Sequence, residues 1–581
     1  MRCHRAAAGL RVRHRPNDWA TSRTFSLCLL ILFGLSLSAS SAPRKDANRP
    51  SKSRPALVVL IGVDQLRADI LQRYDVAFTG GFRRLQEEGF EFANTFVDHV
   101  PTNSMPGHAT LATGMFPSHH GILDGGWIEF VDGRPRGMPS VEDPAFQIVG
   151  VPEARGASPY RFLTTGLADW IKAADSRAEV VGLGGEYGPI LHLAKARGHA
   201  YWYSPSVGQF VTSTFYANAY PEWVQDFNDG DLKRMQQETT WNLSVPEKFR
   251  QLALQDDIKA EYDHVHTTFP HVLANETSLD DPKAPATLAE WFYFQPGIDE
   301  AILLLAQRAV ANLQLGQRGV TDFLSLHLPA VDAVGHRYGP RSLEQLDNVL
   351  RLDKALGQFF AYLDERVGAG NYLVALSADH GVAEIPEEAA ALGKAGRRIT
   401  IKQMDEVFDA VAAYVAAHPE PTPARSEEIA KIVRRFDFVG GAVTRDELSR
   451  TTQTEGPVYL FKNSYHPDRY LSTLRSSHGS MGRFGIVGWL TEGSIPDEAP
   501  AVHGSPHLYD RQVPLFFMGT GVRPGKSPQR ARTVDVAPTL AALAGVPAPS
   551  GLDGKPLLQP SAGKQRRRVA HVTAPPRRPR F

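Results

Sequence analysis

Unbroken apolar runs of strand length recur along the chain, separated by stretches with helical spacing. The first, Ala56-Leu57-Val58-Val59-Leu60-Ile61-Gly62-Val63, has no alternation of polar and apolar positions. That pattern predicts a parallel strand buried on both faces. Similar runs follow at Val180–Leu183, Phe323–Leu326, Tyr372–Leu376 and Val513–Phe517. Helical patterns run from Ile302 to Leu313 and from Leu343 to Val367, and a shorter helix is expected from Gly107 to Gly114. Buried strands alternating with helices predict an α/β fold, a doubly wound, mostly parallel sheet flanked by helices.

The pattern breaks in three places. Residues 200–300 are rich in Trp, Tyr, Asp and Asn with little strand–helix alternation, and read as an inserted cap. At the start, arginines up to Arg23 precede the apolar run Phe25–Leu37 and the small residues Ser40-Ser41-Ala42. This is the layout of a signal peptide over residues 1–42. The run is short for a bilayer span, which needs roughly 20 residues, so export to the periplasm or medium is expected, with no stable membrane span after cleavage. An uncleaved anchor is the alternative. Residues 43–55 read as a linker, 56–562 as the main domain, and 563–581 as a basic disordered tail.

Charge and cysteine content narrow the function. Formal net charge is zero, but residues 1–42 carry +5 and the segment from Gly563 carries +7, leaving about −12 on the body. An acidic body argues against a nucleic-acid-binding surface, which needs clustered cations. Cys3 and Cys28 both lie in the leader. Disulfides and thiolate metal ligands are therefore excluded from the mature chain.

Function in α/β sheets collects at the carboxyl ends of strands. The first strand ends in Asp64, and the strand from Phe323 runs into Asp332-Ala333-Val334-Gly335-His336. The strand from Tyr372 runs into Asp379-His380, and His503 precedes the last strand. Each residue alone reads as a turn former or a polar contact. Together, three Asp and three His offer oxygen and imidazole donors and no sulfur. Such a set suits zinc, or manganese in places, and two divalent ions rather than one.

With these residues in hand, the chain resembles the alkaline phosphatase superfamily, specifically its nucleotide pyrophosphatase/phosphodiesterase branch and related bacterial phosphatases. The resemblance rests on Asp64, Thr102-Asn103-Ser104-Met105-Pro106-Gly107-His108, Gly114-Met115-Phe116-Pro117-Ser118-His119-His120-Gly121, Asp332-Ala333-Val334-Gly335-His336, Ala378-Asp379-His380-Gly381, His503-Gly504-Ser505-Pro506 and Gly551-Leu552-Asp553-Gly554. It implies that Asp332, His336 and His503 hold one zinc, and that Asp64, Asp379 and His380 hold the other together with Ser104. Ser104 would be the nucleophile, standing where relatives usually carry Thr, and the reaction would pass through a covalent phospho-serine. His108 is expected to orient the nucleophile loop. His327 and His507, near the ligands, read first as solvated or core histidines, with support of the ligands from behind as the alternative.

Two departures bear on the substrate, a small phosphate ester or nucleotide. Relatives usually have Asn twenty-one residues after the nucleophile, where Gly125 stands beside Asp124. Monoesterases of the branch carry Lys-x-Arg-Gly where Gly185-Glu186-Tyr187-Gly188 stands here. Without those cations a phosphodiester or nucleotide pyrophosphate becomes the favoured substrate. A phosphomonoester remains the alternative, with Lys195 and Arg197 as a shifted source of charge. A sulfatase is disfavoured because His108 stands where its motif needs Arg. A metal-binding protein with degraded catalysis also fits the missing phosphate contacts.

Overall fold

In this computed structural model, residues 54–559 are described except 133, 263, 279–283, 472–483 and 498. The expected signal peptide, most of the expected linker and the expected basic tail lie outside the described residues.

The core is a ten-stranded sheet. Its strands are β1 (Leu57–Val63), β2 (Gly89–Phe96), β3 (Val180–Gly185), β4 (His199–Ser204), β5 (Gln209–Val211), β6 (Asp322–Leu328), β7 (Tyr372–Ser377), β8 (Gln512–Val513), β9 (Leu515–Gly519) and β10 (Gly525–Arg532). The order is β8-β2-β9-β7-β1-β6-β3-β4-β5, with β10 against β2. From β7 through β4 every pairing is parallel. Beyond β7, β9 pairs antiparallel with both β7 and β2. The expected strand from Val513 is interrupted at Pro514, which has no backbone N–H to give to a ladder.

Every residue of β1 is buried. The helices used below are α1 (Ser104–Thr113), α2 (Gly188–Leu193), α3 (Gly297–Asn312), α4 (Ala330–Tyr338) and α5 (Leu343–Leu363), and Leu57, Val59 and Ile61 pack into one apolar cluster with α3 and α5. Val58 and Leu60 pack into a second cluster with Trp170, Val536 and Leu540. Helices thus cover both faces, which is why the sequence run shows no polar alternation.

Two excursions leave this frame. The cap region, expected over 200–300, contributes β4 and β5 to the sheet before it departs after Val211, and it returns at α3. A second excursion between Ser377 and Gln512 was not expected. Its helices Ile401–Ala417 and Pro423–Val433 share a separate core with the strands Val439–Thr444 and Ile486–Leu490. Among the described residues no helix is long and apolar enough to cross a membrane.

Candidate active site

All seven predicted site residues converge at the carboxyl ends of β1, β6 and β7. Asp64 follows β1, Asp379 and His380 follow β7, and Asp332 and His336 lie one turn apart on α4. His503 comes in on the loop ahead of β8. Ser104 is the first residue of α1, so this helix begins three residues before the expected start at Gly107. Asn103 is its cap residue, and the amides of the first turn face the site rather than a side-chain cap. Gly107 lets the helix lie against the Asp379 loop, since a Cβ there would stand 2.6 Å from the Asp379 backbone oxygen.

The Ser104 hydroxyl lies 3.2 Å from His380 Nε2 and 3.4 Å from Asp64 Oδ1. His380 Nε2 also lies 3.3 Å from Asp64 Oδ1 and 3.1 Å from Asp379 Oδ2. In the second group, His336 Nε2 lies 3.2 Å and His503 Nε2 3.7 Å from Asp332 Oδ1. The His380 and His503 rings stack at 3.8 Å, so the two groups adjoin.

The hydrogen bonds behind these rings decide what the groups can hold. Nδ1 of His336 donates to Ala501 O at 2.8 Å, Nδ1 of His380 to Gly381 O at 2.9 Å, and Nδ1 of His503 to Thr102 O at 2.9 Å. A carbonyl only accepts, so each Nδ1 carries a proton, and on a neutral ring Nε2 then presents a lone pair. Asp332 outweighs burial and pushes His336 up to about 9, so that ring must give up its Nε2 proton to bind a cation. Those lone pairs face carboxylate oxygens, which repel them unless a cation lies between. Burial draws His380 down to about 4, which keeps it neutral. Burial, and then the charge of Asp64, push Asp379 well above the usual carboxylate range. Burial works the same way on Asp64, but the imidazoles of His108, His327 and His380 outweigh it and hold Asp64 well below. Asp379 Oδ2 is buried and meets no hydrogen-bond donor among the described residues. The donor sets fit divalent cations: Asp332, His336 and His503 bring ligand atoms within 4.8 Å of one another, as do Asp64, Asp332 and His380, and Asp379 Oδ2 stands 3.1 Å from His380 Nε2.

Behind Asp64 lies a set of imidazoles whose role the sequence did not make plain. His327 donates from Nδ1 to Gly185 O at 2.7 Å and from Nε2 to Asp64 Oδ2 at 3.0 Å. Two acceptors require two N–H groups, and Asp64 accordingly outweighs burial and raises His327. His108 stands 3.4 Å from Asp379 Oδ2 through Nε2 and 3.0 Å from His192 Nε2 through Nδ1. His327 therefore steers Asp64 rather than filling the core, and His192 was not singled out at all. A signal existed in Gly62, Gly184 and Gly188. A Cβ at Gly62 would meet His108 at 2.8 Å, and one at Gly184 or Gly188 would meet His327 at 2.6 or 2.3 Å. His507 lies aside, bonded to Leu490 O.

The two departures also acquire geometry. Gly125 faces open space, and Asp124 next to it accepts from Asn103 Nδ2 at 2.9 Å. Gly185 is packed shut: a Cβ would lie 2.5 Å from Pro329 Cγ. Tyr187 reaches Glu142 at 3.3 Å. Lys195 and Arg197 precede β4, which runs parallel to β3, so they sit at the amino end of the sheet, opposite the site. Arg197 is engaged there with Phe215.

Residues 58–479 match the family described as type I phosphodiesterase / nucleotide pyrophosphatase. The chain belongs to this family. Among curated relatives, alkaline phosphatase PhoV of Synechococcus elongatus is 31% identical over 91% of this chain and 98% of its own length. Alkaline phosphatase PafA of Elizabethkingia meningoseptica is 30% identical over 87% of this chain and 94% of its own. A solved quadruple mutant of PafA superposes with a TM-score of 0.76 at 29% identity, covering 87% of this chain and 98% of that one. The type I phosphodiesterase match covers the whole cap and part of the second excursion, and the PafA superposition extends the alkaline-phosphatase-like fold over 87% of the chain. With membership in this family, the chain is a phosphoric ester hydrolase.

Proposed function

We propose that the chain hydrolyses phosphate esters with Ser104 as nucleophile, and that it favours diesters or nucleotide pyrophosphates over monoesters. Asp332, His336 and His503 would hold one divalent ion, and Asp64, Asp379 and His380 the other beside Ser104. Such ions, zinc by the donor set, supply positive charge that lowers the pKa of the nucleophile and offsets charge on the phosphoryl oxygens. The chain's own groups do the rest. The first-turn amides of α1 would bind the phosphoryl group. His380 and Asp64 orient the Ser104 hydroxyl from 3.2 and 3.4 Å. His327 fixes Asp64 through Oδ2 and leaves Oδ1 turned to Ser104. A covalent phospho-serine would form and then be hydrolysed.

The preference for diesters is carried by one observation. The charges acting most strongly on Asp64, Asp379, His336, His380 and His503 all come from carboxylates and imidazoles, none from Lys or Arg. Glu186 is exposed at the end of β3, where monoesterases of the branch carry cations. One unit charge at about 4 Å is worth roughly 4 kcal/mol at an effective dielectric constant of about 20, before desolvation. A monoester dianion brings one charge more than a diester and loses more from this lack. The second reading, a phosphomonoesterase, is supported by the full-length similarity to PhoV and PafA, whose names are those of alkaline phosphatases.

The test is the ratio of kcat/KM values on an aryl phosphate diester and the matching monoester, with metal content measured on the same sample. The diester should win, and Glu186→Gln should shift the ratio toward the monoester. A monoester preference of several orders of magnitude would leave the phosphomonoesterase as the function. Export is proposed as well, on the leader-like residues 1–42; the mature N-terminus of the protein recovered outside the cytoplasm would test it.

A further inference from the structure

Behind the carboxylates of Asp64 and Asp379, three imidazoles share one buried space beside Gly62. His108 comes from α1, His192 from α2 and His327 from β6. All three are buried. Their rings meet edge to face, with centroids 4.9 Å apart for His108 and His192 and 4.4 Å apart for His108 and His327. The space exists because β1 carries no side chain there: a Cβ at Gly62 would stand 2.8 Å from His108 Nδ1 and 3.2 Å from His192 Cε1. On α1, His108 follows Ser104 by one helical turn, so the nucleophile and this imidazole share a face.

His327 is committed on both nitrogens, to Gly185 O and to Asp64 Oδ2. His108 and His192 are tied to each other, with His108 Nδ1 and His192 Nε2 3.0 Å apart. One proton lies between them, and the ring that owns it decides what His108 shows to the carboxylates. Burial draws His108 down to about 4 and His192 well below the usual imidazole range, so each ring carries a single proton. If His108 were the donor, its Nε2 lone pair would face Asp64 Oδ2 at 3.5 Å and Asp379 Oδ2 at 3.4 Å. His192 Nδ1 would then hold a buried N–H, and that atom meets no partner among the described residues. With His192 Nε2 as the donor, both faults disappear. The proton of His108 then sits on Nε2, against the two carboxylates, and only a bare lone pair on His192 Nδ1 goes unmet. An orphaned N–H beside a lone-pair repulsion costs more than an orphaned acceptor.

We propose that His192 is a positioning residue: it donates to His108 and so fixes the tautomer in which one N–H of His108 braces Asp64 and Asp379 together. At 3.5 and 3.4 Å that N–H is shared between the two oxygens rather than given to either. It offsets part of the repulsion between the carboxylates. It also keeps Asp64 Oδ1 and Asp379 Oδ2 turned to His380 Nε2, 3.3 and 3.1 Å away. The inference rests on the metal-binding part of the function proposed above, and adds that α2 helps set the affinity for the ion held by Asp64, Asp379 and His380. The ion at Asp332 stands on other hydrogen bonds, from His336 to Ala501 O and from His503 to Thr102 O. It should therefore not depend on His192.

Two measurements on the zinc-loaded full-length chain test it. In proton–nitrogen correlation spectra of isotope-labelled histidine, the wild type should carry the proton of His108 on Nε2 and that of His192 on Nε2. A proton on His108 Nδ1 would overturn the proposal. The second measurement is a chelator titration of two variants. His192→Leu removes the donor at similar volume, and should weaken one of the two zinc ions roughly 10- to 100-fold, the scale for altering a group behind a metal ligand. The other ion should keep its wild-type affinity. His192→Gln, whose side-chain N–H can take the place of Nε2–H, should recover most of the loss. Equal loss in both variants would reduce His192 to packing, and unchanged zinc affinity in His192→Leu would remove the brace; either result overturns the proposal. Should His192→Leu not fold, the wild-type spectrum still decides. Failure of the metal-binding reading shows differently, as a wild type that takes up no zinc, and the proton on His108 is read independently of it.

Discussion

Ser104 meets its two neighbours because α1 begins one residue after a capping Asn103 that keeps its own side chain on Asp124. Ser104→Ala should cut turnover by roughly 10³-fold or more, the scale of removing a nucleophile, while both ions stay bound through the remaining ligands. Metal analysis beside single-turnover kinetics checks both halves, and substantial residual activity would remove Ser104 from the role. The neighbouring glycines divide into two kinds. A side chain at Gly125 enters open space, so Gly125→Asn should fold normally. Its amide, aimed at a phosphoryl oxygen, should raise kcat/KM by roughly 10- to 100-fold, since a hydrogen bond to a charged group is worth about 1.5–3 kcal/mol. At Gly185 even a methyl group meets Pro329. Gly185→Ala should therefore lower stability by about 1–3 kcal/mol, as overpacking does, measured by denaturant unfolding. Restoring a lysine there is closed off, so the lost cations cannot be put back by reversing the residue.

At the scale of elements, the segment Gly114–Gly121 and the distant Gly551–Gly554 turn form one clasp beside α1. Asp553 accepts from the Phe116 amide at 2.8 Å and from His119 Nδ1 at 2.8 Å, and Gly554 N donates to Gly114 O at 3.1 Å. The Asp553 hydrogen bond raises the pKa of His119 above 6.5. A group raised in the folded state adds stability that is fully present below its unfolded pKa. It is lost as pH rises through the folded value. The clasp should thus be tightest below about pH 6.5, the unperturbed histidine value, and weaken just above it. NMR titration of His119 should give a midpoint above that of a free histidine, and Asp553→Asn should bring it down. An unchanged midpoint in that variant would dissociate the pair. Half of the His119 side chain is exposed, so the effect on global stability is small.

Across the whole molecule, the six candidate ligands come from four separate segments: the end of β1, α4, the end of β7 and the loop before β8. Ions bridging them would tie the centre of the sheet to the second excursion. Asp332→Ala and His503→Ala should each lower metal content and Tm together, because binding energy to a site absent in the unfolded chain is folding energy. Each kcal/mol lost should cost about 2–4 °C or less in a domain this large. Full metal stoichiometry in either variant would strike that residue from the set. Adding a chelator to the wild type should reproduce the loss of Tm, and zinc should restore it.

The sequence alone determined the sheet centre and its chemistry. Apolar runs of strand length with no polar alternation fit strands buried on both faces, and Asp64, Asp379 and His380 follow such runs. The pairing of Asp332 with His336 was legible from helical spacing. The order of the motifs marked Ser104 and His503, which local pattern alone would leave as a cap residue and a loop histidine. The tertiary structure decided what depends on contacts distant in sequence. His327 sits in a buried strand and looks like core until Asp64, 263 positions away, is found at its Nε2. Gly185 reads as a lost lysine until Pro329 is seen filling its side-chain space. Lys195 and Arg197 stood near enough in sequence to replace the missing charge, but strand direction carries them to the far end of the sheet. Spacing along a chain encodes which face of one element a residue takes; which elements meet is set by burial of the whole apolar surface at once.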